Sequence, residues 1–226
     1  MNQDRKTVQI EMVSDLVCPW CWLGLRRFLA GRALASEIDV ELSFRPYELD
    51  PTLPPEGADY RTYMARKFGA EDETAPETNR WRTMRDALEQ YGVEEGIPFD
   101  FKGITHRPNT VDAHRLVRWA QGQGLGLGAK EALFAAYFTE HRDIGDRAVL
   151  ADIAGQIGLQ KDVVETLLAG DADEGAVKQE AAVFQQMGVR GVPTFIANRR
   201  YALQGAEEPE AIATFLRQVA NPNGAT

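Results

Sequence analysis

Cys18 and Cys21 are the only cysteines in the chain, and they stand where a strand pattern hands over to a helix pattern. Val8, Ile10 and Met12 alternate with Gln9 and Glu11, the period of a half-buried strand. Pro19 suits a first helical turn, because the N–H it lacks is one that the turn leaves unpaired anyway. Leu25, Phe28, Leu29 and Ala33 supply the apolar stripe of that helix. Ile38-Asp39-Val40-Glu41-Leu42-Ser43-Phe44 then alternates without a break, and Pro46, Pro51, Pro54 and Pro55 end it. Strand, helix, strand in this order predicts a right-handed parallel crossover.

From Tyr60 to Met187 the pattern changes to helical periods with almost no strand alternation. Leu116, Val117 and Ala120 share a face, as do Leu133, Ala136 and Tyr137. Val149, Leu150, Ile153, Ala154 and Ile157 form another series, followed by Val163, Val164, Leu167 and Leu168. The apolar segment from Leu125 to Phe138 reads as core. Glycines at 122, 124, 126, 128, 158 and 170 punctuate the run as helix ends do. Strand character returns at Thr194-Phe195-Ile196-Ala197, turns at Asn198-Arg199-Arg200 and resumes at Tyr201-Ala202-Leu203. A last helix starts near Glu208-Pro209, buries Ala211, Ile212, Phe215, Leu216 and Val219, and closes before Pro222.

Composition narrows the partners. The 226 residues are 44% hydrophobic and 26% charged, an ordinary globular mixture, and the net charge is -9. A phosphate backbone or an anionic membrane surface would attract the opposite sign, so neither is an expected partner. The polar start of the chain shows no secretory leader pattern, and no stretch approaches the ~20 apolar residues of a membrane span. The expected setting is a reducing cytoplasm, with monomer and homodimer equally compatible.

The chemistry centres on Cys18-Pro19-Trp20-Cys21. A thiol at a helix N-terminus faces unpaired backbone N–H groups and the positive end of the helix dipole, and both favour thiolate. Cys18, at the exposed edge, is the expected nucleophile. Cys21, one turn in, is placed to resolve a mixed disulfide. A zinc half-site is an alternative, but zinc takes four ligands, and His106, His114 and His141 are scattered. A structural pair of buried cysteines is the other. Trp20 is expected to shape the mouth of the site and Trp22 to join the core. Arg26-Arg27 reads as a solvated helix face, with a raised local potential at the thiol as the functional alternative.

A second feature is Gly188-Val189-Arg190-Gly191-Val192-Pro193-Thr194-Phe195. Proline just before a short buried strand belongs at the strand's start, and Gly191 suits a turn with unusual angles. An ordinary turn proline fits the pattern equally well, and the pattern alone does not fix its isomer.

Cys18-Pro19-Trp20-Cys21, the Gly191-Val192-Pro193-Thr194 turn and the helical segment between them resemble the thioredoxin superfamily. Within it the chain resembles the DsbA-like group, and specifically its cytosolic FrnE-like branch, related to hydroxychromene-carboxylate isomerases and kappa-class glutathione transferases. Arg45-Pro46-Tyr47-Glu48-Leu49-Asp50-Pro51, Asn109-Thr110-Val111-Asp112-Ala113-His114-Arg115-Leu116 and Ala135-Ala136-Tyr137-Phe138 carry the resemblance to that branch. It implies an α/β thioredoxin-like fold at residues 1–58 and 188–226, with a large all-helical insertion at 59–187. It implies that Pro193 is a cis-proline beside the cysteines and that the Val192 backbone pairs with an extended substrate. Pro19 and Trp20 would line the substrate site, and Asn109 and His114 would reach it from an insertion helix. A capping Asn and a half-buried helix His are the alternative readings of those two. One departure stands out. Relatives often keep a buried acid six residues before the first cysteine, where this chain has Met12, and neither Glu11 nor Asp15 can be assigned that role.

The expected function is thiol-disulfide exchange on protein or small-thiol substrates. It needs no metal or other cofactor, with glutathione as a candidate co-substrate. A glutathione-dependent isomerase or transferase is the second reading, and a binding module without catalysis is the third.

Overall fold

The computed structural model describes residues 6–68 and 78–222. The chain opens with β1 (Thr7–Ser14), α1 (Pro19–Leu34), β2 (Asp39–Pro46), β3 (Ala58–Asp59), α2 (Tyr60–Phe68) and α3 (Thr78–Glu95). A 3-10 turn (Phe101–Gly103), β4 (His106–Arg107), α4 (Val111–Gly122), α5 (Gly126–Phe138), α6 (Arg147–Gln156) and α7 (Lys161–Ala169) follow. Last come α8 (Glu174–Gln186), β5 (Thr194–Ala197), β6 (Tyr201–Gln204) and α9 (Pro209–Ala220). The chain divides into two compact units, Met1–Tyr47 with Gln179–Thr226, and Glu48–Lys178.

The first unit is built on a four-stranded sheet in the order β2-β1-β5-β6. β1 runs parallel to β2, as the crossover requires, and antiparallel to β5, which continues antiparallel to β6. Val8, Ile10 and Met12 on β1 are fully buried, so the alternation read from sequence is the core face. Phe28 of α1 stacks on Phe195 of β5, with ring centroids 4.8 Å apart.

α1 differs from a one-stripe helix. Ala33 is exposed, whereas Leu23, Gly24, Arg27 and Gly31 are buried. The reason is that α1 also packs on α9. Gly24 and Gly31 stand two turns apart on one face. A Cβ at Gly31 would come within 2.7 Å of Ile212 and of the Pro209 carbonyl, so the two helices meet where α1 has no side chain. In α9, Ile212, Leu216 and Val219 are buried as expected, but Ala211 is exposed and Ala213 takes its place.

The other face of β1 holds a half-buried charge cluster. Arg45 Nε donates to Glu11 at 2.7 Å, and its NH1 lies 2.9 Å from Glu180, with all three side chains less than a third exposed. Arg45→Met would leave two carboxylates facing each other without their cation, and is expected to cost about 2 kcal/mol in urea unfolding. Adding Glu180→Gln should recover part of that loss.

The β5–β6 connection places Asn198 and Arg199 at φ +50° and +56°. Two residues with positive φ are what a tight hairpin turn of this hand requires. Asn198 also exchanges bonds with Gln9, accepting from its N–H through Oδ1 and donating its own N–H to the Gln9 carbonyl. Arg199 has no such return for its strained backbone. Arg199→Gly is therefore expected to stabilise the protein by about 0.5–1 kcal/mol, read as a higher urea midpoint with unchanged slope.

The second unit is helical, plus a ladder of two residues per strand between β3 and β4 that is too short to leave an alternation in the sequence. Leu116, Ala120, Leu133, Phe134, Leu150, Ile153, Ala154 and Leu168 are fully buried. Val163 is exposed, so α7 buries Val164 and Leu168 rather than the broader face expected. No helix among the described residues is long and apolar enough to cross a membrane.

Candidate active site

Cys18 is the N-cap residue of α1, with extended φ and ψ of -102° and 110°. Its N–H donates to the Asp15 carbonyl at 3.3 Å, and its carbonyl accepts from the Cys21 N–H at 3.0 Å. Pro19 occupies the first turn, no acidic residue lies in that turn, and no side chain caps the helix. The sulfur therefore occupies the position from which a capping oxygen would normally address the helix N-terminus. Both cysteines are free thiols. Cys18 is 6% exposed and Cys21 is 0% exposed, so Cys18 is less open than its sequence position suggested yet remains the only one of the two that solvent touches.

The Gly188–Phe195 stretch comes to the same place. The Cys18 thiol donates to the Val192 carbonyl at 3.7 Å. The Val192–Pro193 peptide bond is cis. Pro193 is buried and Val192 half-buried. Several bonds hold this loop. Thr194 Oγ1 donates to the Gly191 carbonyl at 2.7 Å, and the Gly205 N–H donates to the Pro193 carbonyl at 2.8 Å. Tyr47 donates its hydroxyl to the Val189 carbonyl at 3.2 Å. Burial first, and then the charge of Asp15, pushes the Tyr47 phenol above its usual range, so it stays a neutral donor at physiological pH. From the helix side, Gly24 faces Pro193: a Cβ there would stand 2.6 Å from the proline ring.

The remaining expectations separate. Trp20 and Pro19 are half-buried beside Cys18, whereas Trp22 is 3% exposed and belongs to the core. Met12 is fully buried in β1. Glu11 is bonded to Arg45, while Asp15 is 1% exposed, three residues before Cys18. Arg27 is not on a solvated face: its NH1 donates to the Ala206 carbonyl at 2.9 Å and sits 2.7 Å from Glu208. The sequence signal for this was available, since Arg27 lies between Gly24 and Gly31 on the close-packed side.

Asn109 and His114 belong to the second unit. Asn109 donates its amide to the Leu53 carbonyl at 2.9 Å and accepts the Val111 N–H at 3.0 Å, a capping pattern at the start of α4. His114 is buried in α4. The same stretch contains a residue that sequence reading missed. Arg115 is fully buried and donates to the carbonyls of Leu167, Gly170 and Ala172 and to Asp112. It closes the C-terminal end of α7, where carbonyls lack helical partners. No group of three or more metal-ligating side chains occurs among the described residues.

A parallel β-α-β opening, a β-hairpin and a closing helix, with a Cys-x-x-Cys pair at the crossover helix N-terminus beside a cis-proline, define a thioredoxin-type domain with a helical insertion. The chain belongs to the DSBA-like thioredoxin domain family, whose model matches residues 9–217. It is 27% identical over 198 residues to the uncharacterized protein YwbO of Bacillus subtilis (strain 168), covering 84% of this chain and 86% of the relative. The crystal structure of the probable DsbA oxidoreductase SCO1869 from Streptomyces coelicolor matches with a TM-score of 0.83 and 28% identity, over 97% of this chain and 92% of the other. The cytosolic disulfide reductase DsbM from Pseudomonas aeruginosa, solved with GSH, shares the fold at a TM-score of 0.57 and 18% identity, over 93% of this chain and 98% of the other.

Proposed function

We propose that the protein is a thiol-disulfide oxidoreductase in which Cys18 is the nucleophile and Cys21 the resolving thiol. One observation carries the reading: Cys18, which keeps 6% exposure, stands at the N-cap of α1, while Cys21 one turn in is fully buried. A substrate disulfide can then meet Cys18 but not Cys21.

Three effects act on the Cys18 thiol, and burial is the first, favouring the neutral form. The Val192 carbonyl accepts its proton and favours the neutral form. The helix N-terminus favours the anion, and cysteines so placed in Cys-x-x-Cys pairs commonly fall well below the ordinary ~8.5. A sulfhydryl is a weak donor, and the helix N-terminus is proposed as the stronger influence on this thiol.

Cys18 thiolate attacks one sulfur of the substrate disulfide. A mixed disulfide forms, and the other substrate sulfur leaves as thiolate and takes a proton from water. Cys21 gives up its proton and attacks the Cys18 sulfur, expelling the second substrate thiolate. The substrate gains two electrons and two protons, and the protein ends as the Cys18–Cys21 disulfide. The reverse sequence oxidises a substrate dithiol. Val192, half-buried beside the sulfur, would offer its backbone to an extended substrate, with Pro19, Trp20 and Pro193 around the reacting atoms.

No metal or organic cofactor enters this scheme. Glutathione is the proposed small thiol that reduces the protein disulfide, two molecules giving glutathione disulfide in a reducing cytoplasm. The bound GSH of DsbM, on the same fold, supports that choice. Insulin reduction coupled to glutathione tests the proposal: wild-type turnover above the uncatalysed rate is expected, and no turnover in either direction would overturn it.

A further inference from the structure

The exchange chemistry leaves Arg27 unexplained. Its side chain is 6% exposed, an expensive place for a guanidinium, while its carboxylate partner Glu208 is 61% exposed. A pair with so open a partner adds little stability. A bond from NH1 to the Ala206 carbonyl points to a different role.

Ala206 follows Gly205, which turns the chain at φ +96° and donates its N–H to the Pro193 carbonyl at 2.8 Å. Val192, adjacent to Pro193, accepts from the Cys18 sulfur. The bonds close a ring: along α1 from Cys18 to Arg27, across to Ala206, through Gly205 to Pro193, and from Val192 back to the sulfur. We propose that Arg27 is a positioning residue that fixes the Val192–Pro193 segment against the Cys18 thiol. This depends on Cys18 being the nucleophile, as proposed above.

A charge effect and a positional effect have opposite signs here. Nine residues of helix put the Cys18 and Arg27 backbones about 13.5 Å apart along the axis, a separation at which a charge acts more weakly than a carbonyl dipole in contact with the sulfur. Whatever charge effect survives lowers the thiol pKa, so removing Arg27 would raise it. Position works the other way. With this anchor removed, the remaining bonds of the loop hold the Val192 carbonyl less firmly against the sulfur, which weakens both the neutral thiol's acceptor and the dipole that repels the anion.

The test is thiolate absorbance against pH on the reduced full-length protein, with kcat and KM for a peptide disulfide. Arg27→Met is expected to lower the apparent Cys18 pKa by about half a unit and to raise KM more than it lowers kcat. Arg27→Lys, which keeps a charge and a donor, should restore the wild-type value, and Glu208→Gln should leave it unchanged. If Arg27→Met does not fold, Arg27→Gln carries the same expectation. A folded Met or Gln variant with a pKa equal to or above wild type overturns the assignment, as does an equal shift in Glu208→Gln. A wild-type protein in which Cys18 does not titrate ahead of Cys21 defeats the dithiol mechanism instead.

Discussion

Cys18→Ser is expected to lower insulin reduction by at least about a thousand-fold, to the uncatalysed level, with the fold intact. The hydroxyl can still cap α1, and serine is a good capping residue, so stability should hold or rise slightly. What disappears is the anion, because an alcohol is not ionised near neutral pH. Cys21→Ser is expected to differ in kind. Attack by Cys18 still occurs, but nothing resolves the mixed disulfide, which should accumulate as a covalent adduct visible in intact mass and removable by a strong reductant. Residual exchange in Cys18→Ser equal to wild type would assign the chemistry to Cys21, which is sealed from solvent.

Gly24→Ala is expected to cut kcat/KM by about 10- to 100-fold while leaving a folded protein. The added methyl would start 2.6 Å from the Pro193 ring, and contact distances are about 3.5–4.0 Å, so the proline or the helix must move by roughly 1 Å. Displacements of that size near reacting atoms cost about 10²-fold. Overpacking costs about 1–3 kcal/mol of stability, of which helix propensity returns about 1. Gly31→Ala is the internal comparison. It meets Ile212 and Pro209 just as closely but on the α9 side, so stability should fall similarly while activity per folded molecule stays near wild type. Equal activity loss in both would mean that Gly24 acts through α1 as a whole rather than through Pro193.

The parts of the fold legible in sequence are those governed by one surface. β1 and β2 show clean alternation, and the cysteine pair at a strand-to-helix junction marks the reactive end of α1. α1 itself departs from a single apolar stripe at Ala33 and Arg27 because it is covered on more than one side. Glycines at 24 and 31 carry that information, but a glycine's meaning depends on what approaches it. Pro193 announced a special turn, yet only the folded chain shows its carbonyl neighbour on the Cys18 sulfur. Asn109 and Arg115 illustrate the converse. Both stand in a stretch that marks the family resemblance, and the structure shows each spent on backbone groups of the second unit.

The most direct measurement is the pH dependence of alkylation of each cysteine in the reduced protein, followed by peptide mapping. Cys18 should react first, with an inflection below that of an ordinary thiol, while Cys21 stays protected until the protein is denatured. Equal labelling of the two cysteines, or a Cys18 inflection at or above the ordinary ~8.5, would contradict the account.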